Sequence, residues 1–278
     1  MRKGQGKRSW PSAISATLMV LGLVVVLFPF IWLLFASVKP IKEILQYPPT
    51  VIPSTFTFEH YLKVWKSIPL LSFLKNTAVF SVGVVIFSLL FDSMAGYAFA
   101  RLRFKGKQGL FIGILLTMMI PFQVIMIPLF VIELKLNIYN TFWGLIIPRA
   151  TSAFGIYLMR SFFVSLPKSL EESARIDGLS EFGIFIRIML PLCKPALISL
   201  GVILLMNNWN DLIYPLMLTS NTEMRTLSAG LAMFVGDKAI DYGAILASTT
   251  VSMVPLVAVY FFLQKYFIKG IASTGIKE

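Results

Sequence analysis

Six long stretches with almost no charged side chains constrain this fold more than any other feature of the sequence. They lie between Arg8 and Lys39, Lys75 and Arg101, Lys107 and Glu133, Lys135 and Arg160, Lys194 and Glu223, and Asp241 and Lys265. Each stretch encloses 23 to 30 residues, and only Asp92, Arg149 and Asp211 interrupt them. A bilayer core about 30 Å thick needs roughly 20 apolar helical residues. Barrel strands would instead alternate apolar and polar residues over about 10 positions.

The stretches therefore predict an all-α integral membrane protein with six transmembrane helices in one domain. The composition agrees, because 14% of the residues are charged, against about 25% in soluble proteins. The predicted spans are residues 12–38, 72–100, 108–132, 138–160, 195–219 and 242–265.

The basic residues indicate the orientation. With six spans both termini lie on one side, and the lysine and arginine bias makes that side cytoplasmic. The net charge of +12 thus reflects topology, and we expect no nucleic-acid partner. The basic residues on the predicted inner side number 16 of 25 and are Arg2, Lys3, Lys7, Arg8, Arg101, Arg103, Lys105, Lys107, Arg160, Lys168, Arg175, Arg187, Lys194, Lys265, Lys269 and Lys277.

Catalytic machinery is not indicated. The chain has one histidine, His60, and one cysteine, Cys193. We expect His60 to be a solvated residue of the outer segment 39–75, so neither a metal site nor a nucleophilic triad is predicted. No glycine begins the phosphate-binding pattern G-x-x-x-x-G-K-[ST]. Energy for any transport must come from another polypeptide or from an ion gradient.

The inner loop between the fourth and fifth spans contains signals for a short helix at about Leu170 to Asp177. Ser169 and Glu172 have the spacing of a capping box, Gly178 occupies a C′ position, and Ser180 can cap a following helix. Isolated helices shorter than about 12 residues are marginal in water, so another surface must support this one. That surface is either the chain's own bundle and the lipid headgroups, or a cytoplasmic partner that approaches Leu170 and the small Ala174.

The same loop resembles the EAA loop of ABC-importer permeases. The resemblance rests on Glu172-Ser173-Ala174, Asp177-Gly178 and Ile188-Met189-Leu190-Pro191 within residues 167–191, with Ser173 replacing the middle alanine of the family pattern. It extends along essentially the full chain. Asn208-Trp209-Asn210-Asp211 is similar to the carbohydrate branch, and the maltose-type second permease is the most similar type.

The resemblance implies a type I ABC importer permease fold whose EAA loop is a coupling helix in a cleft of a cytoplasmic ATPase. The chain would form half of a sugar pathway in a prokaryotic cell membrane and would itself be no enzyme. Its partners would be a second homologous permease, two ATPase subunits that use ATP and Mg, and an extracytoplasmic solute-binding protein. No cofactor would bind this chain. The coupling residues would be Glu172, Ser173, Ala174, Asp177 and Gly178.

Polar residues inside the spans are candidates for the translocation pathway, because ionisable groups there are costly unless they are paired or face water. At ~100° per residue Asn207 and Asp211 share a helix face, whereas Trp209 points away. Interrupted helices occur in transporters, and Pro121, Pro128 and Pro148 favour such breaks. Asp92 and Arg149 could form a structural ion pair. The pathway candidates, each of which could instead bond across helices, are Asn207, Asn208, Trp209, Asn210, Asp211 and Gln123.

Two alternatives to a sugar-importer subunit stay open at this stage. The solute could be a polyol phosphate or another hydroxylated compound, although no basic cluster lies deep in the spans. The chain could also be a secondary transporter driven by an ion gradient.

Overall fold

The computed structural model describes residues 13–234 and 240–274, and it describes side chains from residue 14 to residue 262. Short connections join most helices of these residues, and the longer segment 45–58 joins α2 to α3. Ile147–Arg149, Thr222–Met224 and Ala232–Phe234 are 3-10 turns, and Phe185–Met189 is a π-helical turn. The helices are α1 (Ala13–Ser37), α2 (Ile41–Ile44), α3 (Glu59–Ser67), α4 (Leu70–Arg101), α5 (Lys107–Thr117), α6 (Phe122–Lys135), α7 (Phe142–Ile146), α8 (Ala153–Ser165), α9 (Ser169–Ile176), α10 (Glu181–Ile184), α11 (Leu190–Leu192), α12 (Lys194–Trp209), α13 (Ile213–Leu218), α14 (Leu227–Leu231) and α15 (Tyr242–Thr274).

Within the described ranges, three helices, α1, α4 and α15, are individually long and apolar enough to cross a membrane. Three further candidates are bent pairs, so the total reaches six if each pair is one span. The pairs are α5 with α6, bent by 98°, Phe142–Arg149 with α8, bent by 46°, and Glu181–Leu192 with α12, bent by 77°. The third, fourth and fifth predicted spans are therefore not straight helices.

Proline accounts for two of these interruptions. Pro121 has extended backbone dihedrals and immediately precedes α6, and Pro148 lies in the 3-10 turn before α8. Proline lacks the N–H of a continuous helix, so breaks at these positions agree with the sequence. Pro128, in contrast, lies inside α6 without ending it. The predicted span 195–219 also divides, because α12 ends at Trp209 and α13 begins at Ile213.

The described residues separate into two compact units, one of residues 13–67 with 234 and 240–251, and one of residues 68–233 with 252–274. In the larger unit α4 packs along α8 and α12. Its main cluster of buried side chains joins these helices to the predicted inner loop. Members of the cluster include Tyr97, Met159, Phe163, Ala174, Phe185 and Leu200. The inner loop is thus packed on the bundle.

The smaller unit holds the first part of the outer segment in a polar network. The buried carboxylate of Glu43 accepts hydrogen bonds from Thr50 Oγ1 at 2.7 Å and from Ser54 Oγ at 2.8 Å. The hydroxyl of Thr50 contributes most to lowering the pKa of Glu43 below its ordinary value of 4.5, ahead of burial, which opposes it. Lys39 lies at salt-bridge distance, 3.9 Å from the same carboxylate.

His60 is not the solvated residue that we expected. It lies on α3, is 8% exposed, and its Nε2 is 2.7 Å from the carbonyl oxygen of Lys39. A Cβ added at Gly243 would lie only 2.2 Å from the imidazole. The ring therefore fills a gap that a glycine leaves open, and its burial has a packing reason.

Part of the topology prediction falls on residues that the structure does not describe. The terminal basic residues Arg2, Lys3, Lys7, Arg8 and Lys277 lie outside the described residues. The side chains of Lys265 and Lys269 are also undescribed. The predicted cytoplasmic location of the two termini consequently stays a prediction.

Candidate functional site

The inner-loop helix α9 ends in the way that its sequence predicts. Gly178 has a left-handed φ of 81°. The N–H of Leu179 donates to the carbonyl of Ala174 at 3.0 Å, and the N–H of Gly178 donates to the carbonyl of Arg175 at 3.1 Å. This pair of bonds is the Schellman motif, in which glycine at C′ avoids the strain of a side chain. Ser180 then caps α10 by accepting from the N–H of Gly183 at 3.2 Å.

The predicted capping box at the start of α9 is wrong. The N-cap residue is Lys168, and no side chain caps this end. Lys168 already has helical dihedrals of −67° and −28°, so Ser169 is the first residue inside the helix. A side chain caps a helix only from the extended residue that precedes it, which excludes Ser169.

The sequence left open whether the chain's own bundle or a partner covers the side of α9 that carries Ala174, and in the structure the bundle covers it. Ala174 is 3% exposed and belongs to the main buried cluster of the chain. Its small side chain lets α9 approach the chain's own bundle. Glu172 and Ser173 are exposed on the side of α9 away from the bundle, and Asp177 and Gly178 are exposed just beyond its end. These four remain predicted coupling residues, whereas the Ala174 side chain is inaccessible to a partner.

Two apolar side chains that the sequence did not single out lie on the same inner loop. Ile176 is 86% exposed and Phe182 is 62% exposed. Hydropathy alone cannot identify them, because the chain is rich in apolar residues throughout. They become notable only because they stand among charged residues, away from the long apolar helices.

Charged side chains of α9 and α10 form two ion pairs. Arg175 Nε donates to Glu181 Oε1 at 2.8 Å, and Tyr97 Oη donates to Glu181 Oε2 at 3.2 Å. The hydrogen bond from Arg175 is the main cause of a lowered pKa for Glu181. On the other side of α9, Arg101 Nε lies 3.0 Å from Glu171 Oε1. Burial raises the pKa of Glu171 although Arg101 acts in the opposite direction.

A cavity of about 630 Å³ lies beside α9. Cationic and anionic side chains both line it, and the connection between α4 and α5 contributes to its wall. Its lining includes Arg103, Lys107, Lys168, Glu171, Glu172 and Arg175.

A second polar site lies within the helical bundle, and it corrects the predicted ion pair between Asp92 and Arg149. Asp92 is fully buried and accepts from Thr151 Oγ1 at 2.7 Å and from the backbone N–H of Ser152 at 2.9 Å. Further bonds come from Ser88 Oγ and Ser152 Oγ. Since Thr151 and Ser152 immediately precede α8, the carboxylate compensates the free N–H groups and the positive end of that helix. Asp92 therefore has a complete set of partners without Arg149.

Arg149 pairs with Asp211 instead. Its Nη2 lies 2.6 Å from Asp211 Oδ2, and its Nη1 donates to Asn208 Oδ1 at 2.8 Å. The guanidinium also lies 3.9 Å from the centroid of the Tyr214 ring. The cluster thus combines a neutralised ion pair with amide and hydroxyl groups.

The structure does not bring all six predicted pathway residues to one surface. Asn207 and Asn210 are exposed, as is Gln123 on α6. Asn208 and Trp209 are buried, and Trp209 Nε1 donates to the carbonyl of Ser252 at 3.3 Å. Asp211 lies beyond the end of α12, where its Oδ1 accepts from the N–H of Tyr214 at 3.1 Å. The expectation that Asn207 and Asp211 share a helix face fails for this reason.

Comparisons with known proteins place the chain among membrane transport components. A family described as the binding-protein-dependent transport system inner membrane component matches residues 92–273. An arabinooligosaccharides transport system permease protein of Halalkalibacterium halodurans is 36% identical over 256 residues, which cover 91% of this chain and 92% of that protein. An sn-glycerol-3-phosphate transport system permease protein of Rhizobium meliloti is 28% identical and covers 96% of this chain and 98% of its own length.

A solved structure shows the same fold. The chain is similar to one from a bacterial ABC transporter involved in the import of the acidic polysaccharide alginate. The TM-score is 0.80 at 26% sequence identity, over 91% of this chain and 95% of that one.

Proposed function

The chain belongs to the family of binding-protein-dependent transport system inner membrane components, and on that premise we propose that it is a permease subunit of an ATP-driven carbohydrate importer. It has the fold of an ABC importer permease and forms half of a translocation pathway. A second permease forms the other half, two cytoplasmic ATPase subunits supply the energy, and an extracytoplasmic binding protein delivers the solute. Both termini of the chain lie in the cytoplasm.

The two faces of α9 carry this proposal. One face is fixed to the permease by the burial of Ala174 and Glu171. The other presents Glu172 and the largely exposed Ile176 to the outside of the chain. A helix of eight residues needs such an anchor to persist, and an anchored helix can transmit a push or a pull. We infer that the free face binds a cleft on the ATPase.

Co-purification tests the docking. We would co-express the tagged permease with the ATPase and the second permease of the same organism, and compare the wild type with Glu172→Lys. The charge reversal on the free face is expected to release the ATPase while the permease still inserts in the membrane. Lys105→Glu, which reverses an exposed charge outside α9, serves as the control and should retain the ATPase. Equal retention in wild type and Glu172→Lys would contradict the assignment.

Both the similar proteins and the polar cluster of Arg149, Asp211 and Asn208 favour a carbohydrate as the solute. Hydroxyl-rich solutes are recognised by side-chain amides and carboxylates, which donate and accept hydrogen bonds. In the described bundle the guanidinium of Arg149 is already occupied by Asp211 and Asn208, so it is not free to bind a phosphate. This disfavours a polyol phosphate, the solute class of the Rhizobium relative.

Uptake by reconstituted vesicles distinguishes these solutes. Vesicles that contain both permeases, the ATPases and the binding protein should import arabinotriose or another labelled oligosaccharide when ATP is enclosed with the ATPase. They should not import sn-glycerol 3-phosphate. Import by this chain alone, driven by an ion gradient, would instead establish a secondary transporter.

A further inference from the structure

Arg101 occupies a junction between three helices. It is the last residue of α4, and its Nη2 donates to the carbonyls of Phe163 and Leu166 at the end of α8. Its Nε lies 3.0 Å from the carboxylate of Glu171 on α9. The guanidinium of the last residue of α4 therefore contacts both α8 and α9.

The contacts match what an arginine provides at such a place. The last carbonyls of a helix lack N–H partners, and a cation there also balances the negative end of the helix dipole. The Nη2 group donates to both carbonyls, while the charge of the guanidinium pairs with the Glu171 carboxylate at a distance of 3.0 Å, without the alignment of a hydrogen bond. The side chains of Arg101 and Glu171 are 5% and 6% exposed and both line the cavity beside α9, so water screens their attraction less than that of a fully exposed pair.

Few other contacts attach α9 to the bundle. Ala174 packs into the core. This single small side chain fixes the position of α9 but offers little resistance to rotation of the helix. The ion pair of Arg175 and Glu181 is almost half exposed on both sides and contributes little. The cavity of about 630 Å³ is lined by Glu171 of the anchored face and by the exposed Glu172 and Arg175, so α9 is loosely packed along this edge. The buried ion pair between Arg101 and Glu171 is consequently the main polar contact that restrains α9.

We propose that Arg101 is a positioning residue that makes α9, α4 and α8 move as one body. This inference rests on the proposed function, in which an ATPase acts on α9. Since α4 packs along α8 and α12, a displacement of α9 transmitted through Arg101 reaches the helices that carry Asp92 and Asn208. Loss of the Arg101–Glu171 ion pair would let α9 move with the ATPase while the bundle stays in place.

Distances between spin labels test this directly. Labels at Ser169→Cys on α9 and Leu90→Cys on α4 are accessible, because both side chains are exposed, and neither residue is among the predicted coupling residues. The buried Cys193 is replaced by alanine to give a single labelled pair. The importer complex is measured with and without ATP and vanadate, in the wild-type background and in Arg101→Gln, Glu171→Gln and Arg101→Lys.

We expect one narrow distance in the wild type, unchanged by ATP. Arg101→Gln and Glu171→Gln should each raise the population of displaced α9 by about 2- to 30-fold, the range that corresponds to typical coupling energies. ATP should then shift the distance, and the ATPase should still hydrolyse ATP. Arg101→Lys keeps the charge but not the guanidinium, so it should restore the narrow distance in part.

The control is Arg103→Gln, which removes an exposed arginine two residues away that has no hydrogen bond or ion pair to the described part of the chain. Its distances should equal those of the wild type. Narrow, ATP-insensitive distances in both glutamine variants would overturn the proposal, and Glu171→Gln decides it if Arg101→Gln fails to fold. Failure of the wild-type permease to retain the ATPase would instead overturn the proposed function, while the distances without ATP still test Arg101.

Discussion

The guanidinium of Arg149 lies 2.6 Å from the carboxylate of Asp211, and each residue stands at an interruption of a helix. Arg149 ends the 3-10 turn before α8, and Asp211 follows the end of α12. The two charges neutralise each other within apolar segments, where an unpaired charge is costly. Unwound backbone and paired polar groups thus occur together in the part of the bundle that we assign to the pathway.

Asp211→Ala should destabilise the protein, because it leaves Arg149 without its charge partner. Breaking a fully buried pair costs roughly 3–5 kcal/mol, and the partial exposure here reduces the expected loss to about 2 kcal/mol. The thermal unfolding midpoint in detergent measures this. Replacement of both charges by apolar residues, in Arg149→Met with Asp211→Leu, should recover most of the stability. A double variant less stable than Asp211→Ala would contradict the pairing argument.

Gly155→Ala should disrupt the start of α8. A Cβ at this position would lie 1.9 Å from Asp92 Oδ2, so either the helix or the carboxylate must move and hydrogen bonds to Asp92 are lost. Overpacking of this kind costs about 1–3 kcal/mol, and the unfolding midpoint should fall accordingly. Gly109→Ala is the matched control, because nothing lies within 4 Å of its added Cβ. Equal midpoints for the two variants would argue against the tight contact.

Gly178→Ala should weaken ATPase retention and import. The φ of 81° is unfavourable for a residue with a side chain by roughly 1–2 kcal/mol, so the turn after α9 should shift and the Schellman bonds should weaken. The amount of ATPase that co-purifies reports the effect. Gly183→Ala is the control in the same loop, since its added Cβ meets only ordinary contacts. Full retention by Gly178→Ala with normal uptake would show that the turn is dispensable.

The network of Glu43 should make the smaller unit sensitive to acid. Its pKa lies below the ordinary value of 4.5, chiefly because of the Thr50 hydroxyl. A carboxyl whose pKa is lower in the folded state stabilises above its unfolded pKa, and this contribution is lost as the pH falls through the folded pKa. The wild type should therefore exceed Glu43→Gln in thermal stability at neutral pH, and the difference should shrink below pH 4.5. A constant difference across that range would exclude the carboxylate as the cause.

Local signals predicted several features of the structure correctly. Helices occupy the long uncharged stretches, Pro121 and Pro148 mark breaks, and Gly178 ends α9 with a positive φ. Each of these depends on a few neighbouring residues: a missing N–H, a missing Cβ, or a run of apolar side chains long enough to leave water. Such information is contained in the local sequence.

Features that depend on tertiary packing were not predictable in this way. The side of α9 that faces the bundle is set by the core around Ala174, and the small side chain fits a close approach from either a partner or the chain itself. The partners of Asp92 and Arg149 depend on where the fourth and fifth predicted spans are interrupted. The bonded residues are 59 positions apart in the sequence, so local patterns do not reveal them. Nothing in the sequence around Arg101 and Glu171 marks them as a pair. Their contact is recognisable only from the packing of α4, α8 and α9.

Site-specific crosslinking of α9 to the ATPase tests the central claim most directly. Single cysteines at Ile176, on the free face, and at Ala174, on the buried face, are introduced in a Cys193→Ala background, and the assembled importer is treated with a short thiol-to-amine crosslinker. We predict a permease–ATPase product from Ile176→Cys and none from Ala174→Cys. Absence of that product from Ile176→Cys, with crosslinks only to lipid or within the permease, would contradict the account.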